Sequence, residues 1–213
     1  MKLYGYWRSS ATWRVRIALN LKGLSYEYVP VHLMQGGGQQ KAPAHLARNP
    51  MGQVPVLEVE HGGQTHYLSQ SMAIFDFLEQ VAPSPPLYPP DPIQRARAIQ
   101  LAELVNAGIQ PLQNLSVLQH LTALEQDSAA WAARFIARGL EALEAEAAHS
   151  AGRFLVAAAP CIADLCLIPQ LYNARRFKVD LSGCPRLLAV EAACEELWAF
   201  QAAHPDQQPD ANT

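Results

Sequence analysis

The 213-residue sequence predicts an α/β domain with elements in the order β-α-β-α-β-β-α, followed by an all-helical bundle. Three observations carry this prediction. Short strand-like and helix-like segments alternate as far as residue 82. Six prolines then fall within residues 83–92. Proline has a fixed φ and no N–H, so it neither continues a helix nor sits in a central strand. Beyond residue 92 nearly every segment has helical spacing. The predicted boundaries are therefore a first domain at 1–82, a semi-rigid extended linker at 83–92, and a helical domain at 93–213.

The elements follow in order. Residues 2–6 read as a strand. Residues 12–21 read as a helix with Val15, Ala18 and Leu19 on one face, stopped at Lys22-Gly23. Residues 26–31 alternate as a second strand, and the Gly-rich stretch 35–40 as a flexible loop. Residues 42–47 suit a short helix. Residues 56–59 and 65–68 are strands joined around His61-Gly62-Gly63, a hairpin signal. Residues 71–81 are amphipathic, with Ile74, Phe75 and Leu78 inward and Ser71 as N-cap. A parallel step needs a crossover, so this order gives a mixed sheet. In the second domain, residues 93–108, 131–149, 162–172 and 185–204 are helical by pattern, and Pro111 breaks the chain after the first. The segment 162–172 is almost wholly apolar and belongs at the centre of its domain. The tail from 205 to 213 is polar and reads as loose.

Composition narrows the function classes. Half of the residues are hydrophobic and 16% are charged, with a formal net charge of −3. No basic field invites nucleic acid, and no apolar run is long enough to span a bilayer. The first residues enter a strand without signal-peptide architecture, which predicts a cytoplasmic protein. Cys161, Cys166, Cys184 and Cys194 form no Cys-x-x-Cys, so reduced, buried cysteines are expected and no metal site.

One site stands out in the first domain. Ser9 and Ser10 lie between a strand end and a helix start, where N–H groups carry partial positive charge and a hydroxyl can donate to a thiolate. Alone, the pair reads as a helix cap. Two further segments alter that. Val54-Pro55 precedes a strand, and a cis proline there leaves the Val54 backbone free to pair with an extended peptide. Gln70 and Ser71 open another helix, and the Ser71 N–H, its hydroxyl and the Gln70 amide suit a carboxylate. Together the three segments outline a peptide-shaped groove with a thiol site at one end.

The residues in this groove resemble those of a known family. The run Ser9-Ser10-Ala11-Thr12-Trp13-Arg14-Val15-Arg16-Ile17-Ala18-Leu19 resembles the zeta-class glutathione S-transferase signature Ser-Ser-Cys-x-Trp-Arg-Val-Arg-Ile-Ala-Leu. Residues 49–55 (Asn-Pro-Met-Gly-Gln-Val-Pro), 108–116 and 167–177 are similar to the same class, as is the tail with His204-Pro205 and Gln208-Pro209-Asp210. The resemblance spans the chain. It implies a thioredoxin-like first domain, a helical second domain, glutathione as cofactor and a homodimer. It also implies cis–trans isomerisation of a maleyl dicarbonyl acid, either maleylacetoacetate or maleylpyruvate.

By the same resemblance Ser9 donates to the glutathione sulfur and Ser10 supports it. Gln40, Val54 and Pro55 hold the glutathione backbone, and Gln70 and Ser71 its γ-glutamyl end. Gln110, Asn114 and Ser116 contribute from the helical domain, and Arg176 takes a substrate carboxylate. Arg8, beside Ser9, suits a second carboxylate through bidentate contacts, with a solvated strand-end charge as the alternative. Arg14 and Arg16 read as a surface face or an internal ion pair. Two positions depart from the family. Ala11 replaces its cysteine, which predicts altered affinity or rate. Cys161 replaces a hydroxyl cap, leaving Asp164 to bond backward. Rival readings are a transferase or dehalogenase acting on α-halo acids, and a non-catalytic glutathione-fold binding protein. A redox enzyme fits poorly, since the Ser9-Ser10-Ala11-Thr12 stretch has no cysteine to form a mixed disulfide.

Overall fold

The computed structural model describes residues 1–149 and 152–211. The chain divides into two compact units. One comprises Met1–Leu87 together with the chain from Leu197 onward, and the other is Tyr88–Glu196.

The first unit is built on a four-stranded mixed sheet with strand order β2-β1-β3-β4. Strand β1 (Lys2–Gly5) runs parallel to β2 (Glu27–Pro30) and antiparallel to β3 (Val56–His61), which forms a hairpin with β4 (Gln64–Ser69). The register sets Leu3 opposite Tyr28 on one side and Leu57 on the other. The hairpin turns at Gly62 and Gly63, with φ of 60° and 76°, a backbone region that glycine enters without penalty. Both strands run further toward this turn than alternation alone predicts.

Helix α1 (Ser10–Leu21) follows β1, and its residues 12–19 are buried on every side. It packs against α3 (Ser71–Val81) and α9 (Trp198–Ala203). Val15, Ile17 and Leu19 of α1 and Ile74, Phe75 and Leu78 of α3 have no exposed surface. Of the two readings open for Arg14 and Arg16, a surface face or an internal ion pair, burial excludes the first: they are 3% and 0% exposed. Helix α9 packs against α1, and Arg16 Nε donates to the carbonyl of Ala203 at its end. Lys22, which closes α1, is buried as well. Its ammonium donates to Glu79 Oε2 at 2.8 Å and to the Ala82 and Pro85 carbonyls, so it ties α1 to the end of α3 and the residues after it. The stretch 35–40, expected as a loop, contains two short 3-10 turns, and α2 (Pro43–Leu46) follows.

The second unit is helical. It contains α4 (Pro92–Asn106), α5 (Leu115–Ala123), α6 (Ser128–Ala147), α7 (Ile162–Arg176) and α8 (Pro185–Glu195). Helix α4 starts at Pro92 because Asp91 caps it, accepting from the Ile93 and Gln94 N–H groups. Residues 162–171 of α7 are all buried, and this helix packs on α4, α6 and α8, as its apolar sequence requires. At its start the fully buried Asp164 accepts from the N–H of Cys161 and of Leu155, both at 2.8 Å. The backward bond from Asp164 is thus made despite the cysteine at the cap. Burial pushes the Asp164 carboxyl pKa up, and those N–H groups oppose the shift.

The end of the chain differs from expectation. The single helix expected over 185–204 breaks between α8 and α9, and the polar tail is ordered. Gln208 and Asp210 are 9% and 4% exposed. Gln208 Nε2 donates to the Ala202 and His204 carbonyls. The chain from Leu197 belongs with the first unit, so the helical domain expected at 93–213 gives up its last segment. Residues 212 and 213 of that tail lie outside the described residues.

Candidate active site

Ser9 is the N-cap of α1. Its Oγ accepts from the Thr12 N–H at 3.2 Å, and its own N–H donates to the Tyr6 carbonyl at 2.9 Å. Accepting at the cap leaves the hydroxyl proton of Ser9 to be donated elsewhere. Ser10 is the first helical residue and is half-buried beside it. The helix starts this close to β1 because Gly5 has no side chain: a Cβ there would lie 2.3 Å from Thr12 Cγ2. Arg8 is half-buried, its guanidinium 5.1 Å from the Trp7 ring centroid, and its Nε is buried without a hydrogen-bond partner. That orphaned donor disfavours the solvated-charge alternative.

The Val54–Pro55 peptide is cis. The Gln53 carbonyl is held by His45 Nε2 and by Asn49 Nδ2, each at 2.9 Å, which anchors the turn from behind. Val54 itself makes no backbone hydrogen bond to the rest of the described chain. Gln40 is buried, its Nε2 donates to the Leu33 carbonyl at 3.4 Å, and its Oε1 has no partner. The Gly-rich stretch carrying Gln40 is organised by His32, a residue the sequence did not single out. Nδ1 of His32 accepts from the Met34 and Gln35 N–H groups at 3.1 and 2.9 Å, and its ring packs edge-on to Tyr6. Gln35 to Gln39, with Lys41 and Ala42 but not Gln40, line an open cleft of about 630 Å³.

Ser71 opens α3, but the N-cap is Gln70, with φ 68° and no capping bond from its side chain. The expectation of Ser71 as cap is corrected by one residue. A non-glycine residue in this left-handed region costs energy that the surrounding structure must offset, and such positions cluster at ligand sites. Ser71 Oγ is buried and has no hydrogen-bond partner. A hydroxyl with unspent capacity, beside the exposed Gln70 and the first N–H groups of a helix, suits an incoming anion. Arg8, Ser9, Ser10, Gln40, Val54, Pro55, Gln70 and Ser71 all belong to the first unit.

Gln110, Asn114, Ser116 and Arg176 belong to the second unit. Gln110 begins a 3-10 turn at Gln110–Gln113 that contains Pro111, where a break is expected. Asn114 caps α5, its Oδ1 accepting from the Ser116 N–H at 3.1 Å and from Ser116 Oγ at 2.9 Å, so both have a structural task in addition to any ligand role. Arg176 ends α7, exposed, with its guanidinium 5.2 Å from the Phe177 ring centroid.

Residues 1–80 match the glutathione S-transferase N-terminal domain family. The chain is 46% identical over 208 residues to the maleylacetoacetate isomerase of Rattus norvegicus, covering 98% of this chain and 94% of that protein. This chain belongs to the zeta-class glutathione S-transferases, the maleylacetoacetate isomerase family. Among solved members, the maleylacetoacetate isomerase of Anaeromyxobacter dehalogenans 2CP-1 with bound glutathione is 56% identical, with TM-score 0.91 over 99% of this chain and 97% of that one. A bacterial zeta-class maleylpyruvate isomerase in its holo form is 42% identical, with TM-score 0.92 over 99% and 100%. The family fold is the one expected: a thioredoxin-like first domain and a helical second part. Among the described residues, no helix is long and apolar enough to cross a membrane.

Proposed function

We propose that this zeta-class protein is a glutathione-dependent cis–trans isomerase converting a maleyl dicarbonyl acid, maleylacetoacetate or maleylpyruvate, to its fumaryl isomer. The observation that carries the reading is the set of unspent polar groups in the first unit. The Ser9 hydroxyl stands at a helix start, the Val54 backbone is uncommitted, and the Ser71 hydroxyl is buried without a partner. A γ-glutamyl tripeptide offers what each of these lacks: a thiolate, an extended backbone and a carboxylate.

Bound glutathione supplies a thiolate that adds reversibly to the conjugated double bond, so that the bond rotates as a single bond before the thiol leaves unchanged. Ser9 donates its hydroxyl proton to the sulfur and, with the start of α1, favours the ionised form. Ser10 supports that end. Val54, ahead of cis-Pro55, pairs with the peptide backbone, and Gln40 closes over it. Gln70 and Ser71 hold the γ-glutamyl carboxylate. Arg8, with its orphaned Nε, and Arg176 take substrate carboxylates and stabilise the enolate charge that develops. Gln110, Asn114 and Ser116 contribute from the helical unit. Family membership supports a homodimer and a cytoplasmic location.

The test is an absorbance assay of maleylacetoacetate and maleylpyruvate with glutathione held well below substrate. Many turnovers per glutathione, lost in Ser9→Ala and Arg176→Ala, are expected. Consumption of one glutathione per substrate would mark a conjugating transferase and overturn the reading.

A further inference from the structure

The polar tail engages the segment that carries Ser9. Trp7 lies two residues before Ser9, inside the turn closed by the Ser9 N–H and the Tyr6 carbonyl. Both polar groups of its backbone are held. The Trp7 N–H donates to Asp210 Oδ2 at 3.0 Å, and the Trp7 carbonyl accepts from Arg16 Nη2 at 2.8 Å. Arg16 is fully buried and also donates from Nε to the Ala203 carbonyl at 3.1 Å. Asp210 Oδ2 accepts a second bond from Tyr28 Oη at 3.3 Å. One side of this clamp comes from α1 and the other from a residue 203 positions further along the chain.

We infer that Asp210 is a positioning residue for Ser9: it holds the N–H of the Tyr6–Trp7 peptide plane, whose carbonyl takes the Ser9 N–H, while Arg16 holds the carbonyl of the next plane, and together they set the path of the Arg8-Ser9 segment into α1. The inference rests on the reading of Ser9 as the thiol-site group. The physical argument is one of lever arm. The Tyr6–Trp7 peptide plane is held at its N–H by Asp210 and at its C=O by the Ser9 N–H, so it cannot rotate. Without Asp210 it is held only at the carbonyl, turns about that bond and carries the Ser9 N–H with it. A shift of roughly 1 Å in a catalytic group costs on the order of 100-fold in rate. Asp210 also places a carboxylate near a buried guanidinium, so it has a stabilising task separable from the geometric one.

The pair Asp210→Ala and Asp210→Asn separates the two tasks. An asparagine keeps an oxygen for the Trp7 N–H but removes the charge. Asp210→Asn is expected to lower the melting temperature while keeping slow amide exchange at Trp7 and the acidity of bound glutathione, read from its thiolate absorbance. Asp210→Ala is expected to speed exchange at Trp7, raise the pKa of the bound thiol, and lower kcat about tenfold or more with a smaller change in KM. If Asp210→Ala folds too poorly, the Trp7 exchange rate in Asp210→Asn against the wild type still decides: fast exchange there overturns the geometric role. Equal effects of the two variants on thiol acidity, or none in either, overturn it too. Exchange at Trp7 needs no glutathione. Unchanged turnover in Ser9→Ala would therefore refute the thiol-site reading, while slow Trp7 exchange in Asp210→Ala would refute the clamp.

Discussion

Ser9 Oγ has two tasks that one substitution removes together and a second pulls apart. As an acceptor it caps α1 through the Thr12 N–H at 3.2 Å. Losing a hydroxyl cap costs about 1 kcal/mol, which for a chain of this size lowers Tm by about 2–4 °C. As a donor it serves the glutathione sulfur in the proposed function. A hydrogen bond to a charged group is worth about 1.5–3 kcal/mol, equivalent to about 10- to 150-fold in kcat/KM. Ser9→Ala is expected to show both losses. Ser9→Asp keeps a capping oxygen at the helix start, where a negative charge is favourable, but an ionised carboxylate has no proton to donate and repels a thiolate. It is expected to recover the melting temperature and none of the activity. Thermal unfolding and steady-state isomerisation of the two variants, side by side, make the test. If Ser9→Asp regains turnover in step with stability, the hydroxyl is only a cap and the thiol argument fails.

Three further outcomes follow from the same structure. Lys22→Met leaves Glu79 and two carbonyls without their buried ammonium and is expected to cost about 3 kcal/mol, the low end for a broken buried pair because Glu79 keeps the Leu87 N–H at 2.9 Å; a loss under about 1 kcal/mol in urea unfolding would refute that account. Gly5→Ala brings a methyl against Thr12 and is expected to destabilise by about 1–3 kcal/mol, and adding Thr12→Ser, which deletes the clashing carbon, should restore part of it in the same measurement. Glu58 accepts from Tyr4 Oη at 2.6 Å and pairs with Lys2, so its pKa is lowered, chiefly by the Tyr4 bond. Its contribution to stability is present above the ordinary carboxylate pKa and lost as pH falls through the lowered value, so Glu58→Gln should flatten the acid limb of a stability-against-pH curve; an unchanged limb would show that the bond contributes nothing.

The first unit was legible wherever the signal was local. Alternation marked the strands, the Gly62-Gly63 pair marked the hairpin, and a hydroxyl pair before a helical run marked Ser9. Gln70 escaped because a left-handed glutamine leaves no compositional trace, so the neighbouring serine looked like the cap. Arg16 stays open between a surface face and an internal position for a different reason. Charge on a helix normally means solvent, and the Ala203 carbonyl that takes its Nε is specified 187 residues later. Gln208 and Asp210 fail in the same way: in sequence they are polar residues in a proline-punctuated tail, and only their distant partners make them structural. His32 could have been found, since a histidine three residues before a Gly-rich stretch can accept from the N–H groups at its start, but nothing in spacing alone distinguishes it from a surface imidazole.

The return of the chain to its first unit has a consequence for how the protein is made. Residues 1–87 leave the ribosome long before residues 197–211 exist. Until then Arg16 lacks the Ala203 carbonyl and the Asp210 carboxylate, and the Trp7 N–H has no acceptor. A desolvated guanidinium without these partners disfavours closure of α1 onto the sheet. The hydrogen bonds at Trp7 and Arg16 are therefore completed only after the helical unit has been synthesised, when residues 203 and 210 arrive.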